Sequence, residues 1–392
     1  MQSLPTSPRP PGSVGVSPAD GSARHAGGTP TLPGGMTPAR PGPFTFSTAC
    51  SLGAGIVMLL GIWFGSRGLR DFDSALVWYA GASVFSGMGI AYRYSMWLQR
   101  PPTRLYWRRG WQFFLNPARL AWNSGRLAGL FWDNFVLQRF IERRAPLRWG
   151  AHWLISWGCL LAAAVTFPLS FGWLRFETAP DSQEIYYCYL SGIRVLAFPT
   201  DSFVALVLFH VLDIAAVMVL AGISLSLVRR ALDRGALSVQ QFANDLFPLV
   251  LLFAVSITGL MLTVSSHVLH GTHHGFLSQF HAITVIMTLM YLPFGKFFHV
   301  FQRPAQLGVR FYKDAGAAGE PARCIRCGEE FGSRLHVEDL KLVQAQLGIH
   351  YEMPDGTHYQ DVCPPCRRKN LALIQDGMWR AASLASEERT HG

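Results

Sequence analysis

FLSQFHAITVIMTLMYLPFGKFFHVFQRP, residues 276–304, decides how the rest of the chain is read. Its centre is apolar enough to cross a bilayer, which takes about 20 such residues. Yet it carries His281 and His299. Read as one helix, their spacing of 18 residues (299 minus 281) is five turns at about 100° per residue, so both imidazoles fall on one face. At about 1.5 Å per residue they lie roughly 27 Å apart along the axis, close to the thickness of the hydrocarbon core. This predicts one histidine near each membrane surface, both turned into the same bundle. An imidazole in lipid is costly without a partner. Two readings follow. Each is a core histidine hydrogen-bonded to a neighbouring helix, or each is an axial ligand of one of two stacked haems, one per leaflet. Histidine suits the second, because its neutral ring nitrogen ligates iron while the other N–H bonds to protein.

Outward from this stretch the composition agrees with a membrane chain. Half of the 392 residues are hydrophobic, only 15% are charged, and mean hydropathy is positive. Several runs approach 20 apolar residues, which predicts a polytopic membrane protein. The net charge of +10 is not a nucleic-acid signal. Much of the basic excess flanks the apolar runs, where it sets orientation. There is no Walker-type or GxGxxG loop and no periodic repeat.

Residues 1–43 are rich in Pro, Gly, Ser and Thr and read as a disordered tail. Six spans are expected, at about 46–66, 74–97, 149–172, 202–228, 244–265 and 276–302. The Arg-rich segment 98–147 is expected to carry short surface helices around 111–124 and 126–142 and to lie in the cytoplasm. Arg229 and Arg230 mark the same side. Residues 173–200 form an outer loop, as does HVLHGTHHG with His267, His270, His273 and His274. That cluster reads as a solvated loop or a metal site. Both termini then lie in the cytoplasm.

This topology, drawn from charge and hydropathy, sorts four histidines into two levels. His152 and His299 fall at the inner level, His210 and His281 at the outer. Bis-histidine ligation needs two per haem, so two haems are expected, or one. His270 or His274 are alternatives to His210. Gly158 and Gly295 fit either close approach of a planar macrocycle or helix packing. Pro293 is expected to kink the last helix near its inner end.

After about Val309 the chain turns soluble. Cys324, Cys327, Cys363 and Cys366 form two CxxC pairs separated by 35 residues. Two such turns complete a tetrahedral four-thiolate site. Zinc in a ribbon-like module is the default metal, and a single iron is the alternative. A helix over about 336–348 is expected between the pairs, with His336, Leu340, Val343 and Leu347 at helical spacing.

The last span resembles the final helix of the gamma (cytochrome b) subunit of respiratory nitrate reductases. The shared residues are Phe280-His281, Pro293-Phe294, His299-Val300 and then Pro304. The resemblance covers about 74–305. It implies that His281 and His299 ligate the outer and inner b haems and that His152 is the second inner ligand. The chain is also similar to cytochrome subunits of sulfite-reduction and heterodisulfide-type complexes, through Arg148, Trp149 and His152. It departs from the nitrate reductase pattern at Ala162, where that family has a second histidine, so His210 is the expected substitute. The first span and the four-cysteine tail are additional.

The expected architecture is therefore an all-α membrane protein: a six-helix bundle at 44–305 with a cytoplasmic four-cysteine tail at 306–392. The resemblance implies an inner-membrane haem b subunit. It would oxidise quinol and pass electrons to a cytoplasmic iron–sulfur or molybdenum-type reductase subunit, and would not be catalytic alone. The competing expectation is a transporter or metal-sensing protein that uses the histidines as proton or metal sites.

Overall fold

Apolar runs with few charges become helices, because in lipid each backbone group must find its partner inside its own segment. The computed structural model describes residues 42–180, 182–232, 235, 240–353 and 356–390. The segment read as a tail over 1–43 lies outside these up to residue 41, and Pro43 already starts a helix. In chain order the helices are α1 (Pro43–Gly65), α2 (Val77–Gln99), α3 (Pro101–Phe114), α4 (Leu120–Phe131), α5 (Arg139–Glu142) and α6 (Pro146–Ser170). Strands β1 (Leu174–Ala179), β2 (Ser182–Leu190) and β3 (Ile193–Pro199) follow. Then come α7 (Phe203–Leu232), α8 (Phe247–His267), α9 (His274–Tyr291) and α10 (His299–Ala317). The tail adds β4 (Pro321–Arg323), β5 (Glu330–Ser333), α11 (Arg334–Gln346) and α12 (Pro364–Thr390).

Five helical segments are long and apolar enough to cross a membrane, or six if the bent pair α9–α10 is one span. Between 11% and 22% of the most apolar window of each of the five is buried within the protein. Ile56, Leu59, Phe64, Phe203 and Leu206 all point outward. So much apolar surface is stable only against lipid, consistent with a multi-pass membrane protein. Inside, small residues set the spacing. A Cβ on Gly158 of α6 would meet Val219 Cγ2 at 2.7 Å and the Ala215 carbonyl at 2.8 Å on α7. A Cβ on Gly222 of α7 would meet Ile155 Cγ1 at 2.7 Å and the Ala151 carbonyl at 2.8 Å on α6. Gly158 is thus occupied by helix packing, the second of the two roles read for it.

The last span is not one straight helix. It breaks at Leu292–Phe294, and its halves are bent by 59°. His281 and His299 therefore sit on different helices, and the single-face argument from their spacing does not hold. The expected kink at Pro293 is a full break, because Pro293 lacks the N–H of the helical ladder and Gly295 follows with φ +62°. The break is fitted to its neighbours. The Pro293 ring fills the notch left by Gly89 of α2, where a Cβ would come within 2.8 Å. Arg93, one turn further along α2, donates through Nη1 to the Pro293 carbonyl at 2.6 Å and lies 4.5 Å over the Phe298 ring. Tyr291 Oη donates to the Ala243 carbonyl at 3.0 Å, and Lys296 pairs with Asp245.

Residues 174–199, expected as loop, form an antiparallel three-stranded sheet in the order β1-β2-β3. The hairpin at Ser191-Gly192 has positive φ at both residues (47° and 83°), the conformation of a tight two-residue β-turn. Cys188, Phe198 and Ala205 make a buried cluster, and Phe209 of α7 packs against Phe176, Tyr186 and Phe198. The sheet thereby covers the start of α7 beside His210. Surface helices also differ from expectation. α3 begins at Pro101-Pro102, since prolines are free to occupy a helix's first turn. It ends at Phe114, where Asn123 donates to the Phe113 and Phe114 carbonyls.

Candidate functional site

At the end of the bundle that carries the tail, α6 and α10 bring His152 and His299 together, with ring centroids 6.3 Å apart. Each ring is held through Nδ1. His152 donates to Gln138 Oε1 at 2.7 Å, and His299 donates to the Lys296 carbonyl across the turn that follows the break. Gln138 is buried and has φ 53°, unusual for a residue with a Cβ. Its Nε2 donates to Ser156 Oγ at 2.6 Å, which fixes Oε1 toward the imidazole. Trp149, Trp153 and Trp157 of α6 donate their indole N–H groups to the Leu137 and Val136 carbonyls and tie down the segment before Gln138. With both Nδ1 atoms committed, each Nε2 keeps its lone pair.

A metal–imidazole bond is about 2 Å and a ring nitrogen lies about 1.1 Å from its ring centroid, so two imidazoles opposed on one ion have centroids roughly 6.2 Å apart. The separation of His152 and His299 matches this distance.

At the sheet end, His210 lies beside His267 of α8, with centroids 5.8 Å apart. His210 Nδ1 donates to Asp213 Oδ2 at 2.8 Å, and Thr263 Oγ1 donates to Asp213 Oδ1 at 2.7 Å. His281 is placed differently. Its Nδ1 meets Thr258 Oγ1 at 2.9 Å, and the Thr258 hydroxyl donates onward to the Ala254 carbonyl at 2.6 Å. The structure thus gives His210 a ring neighbour in His267, and gives His281 a polar partner on α8. His267 stood in the sequence only as one of four histidines in an outer turn. It is the last residue of α8, and His270 and His273 follow in left-handed backbone.

In the tail, Cys324, Cys327, Cys363 and Cys366 converge, with all four sulfurs within 4.8 Å of one another. Tetrahedral ligation at a zinc–thiolate bond of about 2.3 Å puts sulfurs roughly 3.8 Å apart. Cys327 and Cys363 are 3.7 Å apart, so the group could hold a metal ion. The Cys363 amide donates to Cys324 Sγ at 3.2 Å. Burial opposes charge on Cys324, but amides of Cys363, Cys327 and Arg326 outweigh it and hold the thiol down to about 6. Cys366 is pushed up to about 12, first by its hydrogen bond with Cys363 and then by burial. One low and one high thiol describe a cluster that shares protons, which a metal would displace.

The expected helix of the tail is α11, but its buried positions are Asp339 and Val343, while Leu340 and Leu347 are exposed. Asp339 is buried because Arg109 of α3 reaches it with two hydrogen bonds, 2.7 and 3.1 Å. Tyr312 of α10 packs against His336 with ring centroids 4.5 Å apart and planes tilted by 49°. Arg126 of α4 pairs with Asp314 at 2.6 Å. A Cβ on Gly110 of α3 would lie 3.0 Å from the backbone of Gly308 on α10, so those two helices touch closely. The four-cysteine module is therefore docked on the layer that also carries His299. Comparison with protein families, with curated proteins and with solved structures found no match for the chain.

Proposed function

We propose that the chain is a haem b membrane subunit that oxidises quinol and passes electrons to a cytoplasmic iron–sulfur or molybdenum-type reductase subunit. It would act like the nitrate reductase gamma subunit whose last helix it resembles. The observation that carries this reading is the His152–His299 pair. Two helices bring two imidazoles to 6.3 Å, both Nδ1 atoms are bonded to protein acceptors, and the separation suits one iron. A neutral imidazole has one donor and one acceptor nitrogen, so the Nδ1 bond of each ring leaves its Nε2 available as a ligand. Two neighbouring rings at this separation, with both Nδ1 atoms already taken, are better accounted for by a shared ligand.

In this reading His152 and His299 hold the haem, which supplies one-electron transfer when bound. Gln138 and the Lys296 carbonyl hold the ring protons on Nδ1 and fix the tautomer. Quinol binds at the outer level, near the start of α7. The Arg-rich segment of α3 to α5 faces the cytoplasm, and so do both termini, in the inner membrane. The tail centre holds zinc as a structural ion, with iron as the alternative, and its module and the basic layer form the surface for the partner.

A dithionite-reduced minus oxidised spectrum of the purified protein, with haem quantified as the pyridine complex, tests the reading. A reduced b-type spectrum, with one Soret band and a sharp α band, is expected. Protein made with haem available that shows no Soret band would refute it and leave the transporter or metal-sensing reading.

A further inference from the structure

We infer that a second haem is held by His210 and His267, and that His281 is a structural residue of the α8–α9 contact. The inference rests on the haem reading above. It departs from the pairing of His210 with His281 that the sequence and its resemblance suggest.

Three observations carry it. The first is separation. The His210 and His267 centroids are 5.8 Å apart, within about half an ångström of the value for opposed imidazoles. The second is the hydrogen-bond frame. His210 is oriented by Asp213, and Asp213 is oriented by Thr263, one turn before His267 on the same helix. A carboxylate on the far nitrogen of a ligating histidine is a recurring device. It fixes the ring and raises the basicity of the ligating nitrogen. The same chain of contacts locks α7 and α8 in register at the level of the two rings. The third is room. An open cavity of about 580 Å³ has His210, Asp213 and His267 in its wall, with Phe203, Leu206 and Phe209 as its apolar side. Thr200, Asp201, Ser202 and Thr263 give it a polar side as well, so the cavity suits a planar cofactor with apolar faces and a polar edge.

His281 also has a hydrogen-bonded Nδ1, but its partner is a hydroxyl, and among the described residues no second histidine ring lies beside it. It is outside the wall of that cavity, and its neighbours are Thr258, Thr284 and the notch at Gly259, where a Cβ would stand 3.4 Å from its ring. Thr258 is fully buried, and its hydroxyl links His281 to α8. This is how a satisfied interior histidine is held between two helices.

The test uses the full chain, expressed with haem available and purified in detergent. Haem per chain is measured for wild type and for His210→Ala, His267→Ala, His281→Ala and His152→Ala. Wild type should hold two haems. His210→Ala and His267→Ala should each lose the same one, His152→Ala the other, and His281→Ala neither. His267→Met guards against a folding defect, because methionine keeps an iron ligand of similar bulk. It should retain two haems, raise the midpoint potential of one and leave the other unchanged. Asp213→Asn should move that same midpoint upward, since the weaker acceptor lowers ligand basicity. The inference is overturned if wild type holds one haem, or if His281→Ala loses a haem that His267→Ala keeps. Wild type without any haem would instead bring down the proposed function itself, and this inference with it.

Discussion

Arg93 is a basic side chain on an otherwise apolar helix, and its contacts say what replacing it would do. In an Arg93→Met variant the break in the last span loses the donor to the Pro293 carbonyl, at 2.6 Å, and the cation lying 4.5 Å over Phe298. A hydrogen bond from a charged donor contributes about 1.5–3 kcal/mol. A cation–π contact at an accessible site adds about 0.5–1 kcal/mol. Arg93 is exposed, so the lower values apply. The loss is then about 2 kcal/mol, or roughly 30-fold in the equilibrium between the closed and locally opened break, at 1.4 kcal/mol per tenfold. His299 begins the helix just past this turn, so the opening reaches the histidine pair. Amide hydrogen exchange in lipid nanodiscs measures it directly. Amides of Gly295–Val300 should exchange roughly 30-fold faster in Arg93→Met, with α6 and α7 unchanged. Arg93→Lys, which can still donate to one carbonyl, should fall between. Exchange within threefold of wild type in Arg93→Met would show that the break is held by other contacts and would refute the reasoning.

Other substitutions probe the frame around the site. Gly158→Leu would drive a side chain into the Ala215 carbonyl and Val219; overpacking of this kind costs about 1–3 kcal/mol, seen as a lower melting temperature, and both histidine pairs should loosen because α6 and α7 carry one member of each. Asp71 lies in the turn between α1 and α2, and its carboxyl is held below the usual range, first by the hydrogen bond from Arg67 and then by the charge of Arg175. A depressed folded value means its contribution is complete above the unfolded value of about 3.9 and is lost as pH falls through the folded value; the fall of melting temperature on acidification below pH 4 should therefore be shallower in Asp71→Asn. Asp339→Ala leaves Arg109 without its buried partner; discounted for the side of Arg109 that reaches solvent, the cost is about 2 kcal/mol, and limited proteolysis should release the tail faster. Cys324→Ser should lower tail metal content below half of wild type by elemental analysis, and full retention would rule out the four-thiolate site.

Much of the architecture is legible in the sequence because hydropathy and charge report it directly. The runs that became α1, α2, α6, α7 and α8 are long, apolar and bounded by Arg, Asp, Gly or Pro. The four cysteines were legible because CxxC spacing fixes where two thiolates point. The failures have a common cause. Hydropathy averages over a window, and a window does not register one lost N–H at Pro293 or the turn at Gly295. The sheet is hidden for a related reason: in β2 the alternation of Tyr186 and Cys188 inward with Tyr187 and Tyr189 between them reads as an aromatic loop. Ser191-Gly192 was the signal that could have found it. Asp339 in the buried stripe of α11 could not be read at all, since its partner Arg109 is 230 residues away.

The same contrast explains why the histidine pairing was the hardest feature to read. Spacing along a chain assigns a partner only if the helix between is unbroken. Here the backbone leaves the helical region beside the candidate pairs. Gln138 and Gly295 have positive φ next to the inner pair, and His270, Gly271 and His273 next to the outer one. For Gln138, His270 and His273 this is backbone that side chains with a Cβ rarely adopt, and it persists only where surrounding contacts over-determine it. At Gln138 those contacts are its bonds to His152 and Ser156, together with the tryptophan N–H groups on the preceding carbonyls. The strained residue is thus the one that orients the ring. A sequence reading that ranks glutamine as an ordinary helix former passes over it, whereas the conformation marks it as a residue whose geometry is kept for the histidine it holds.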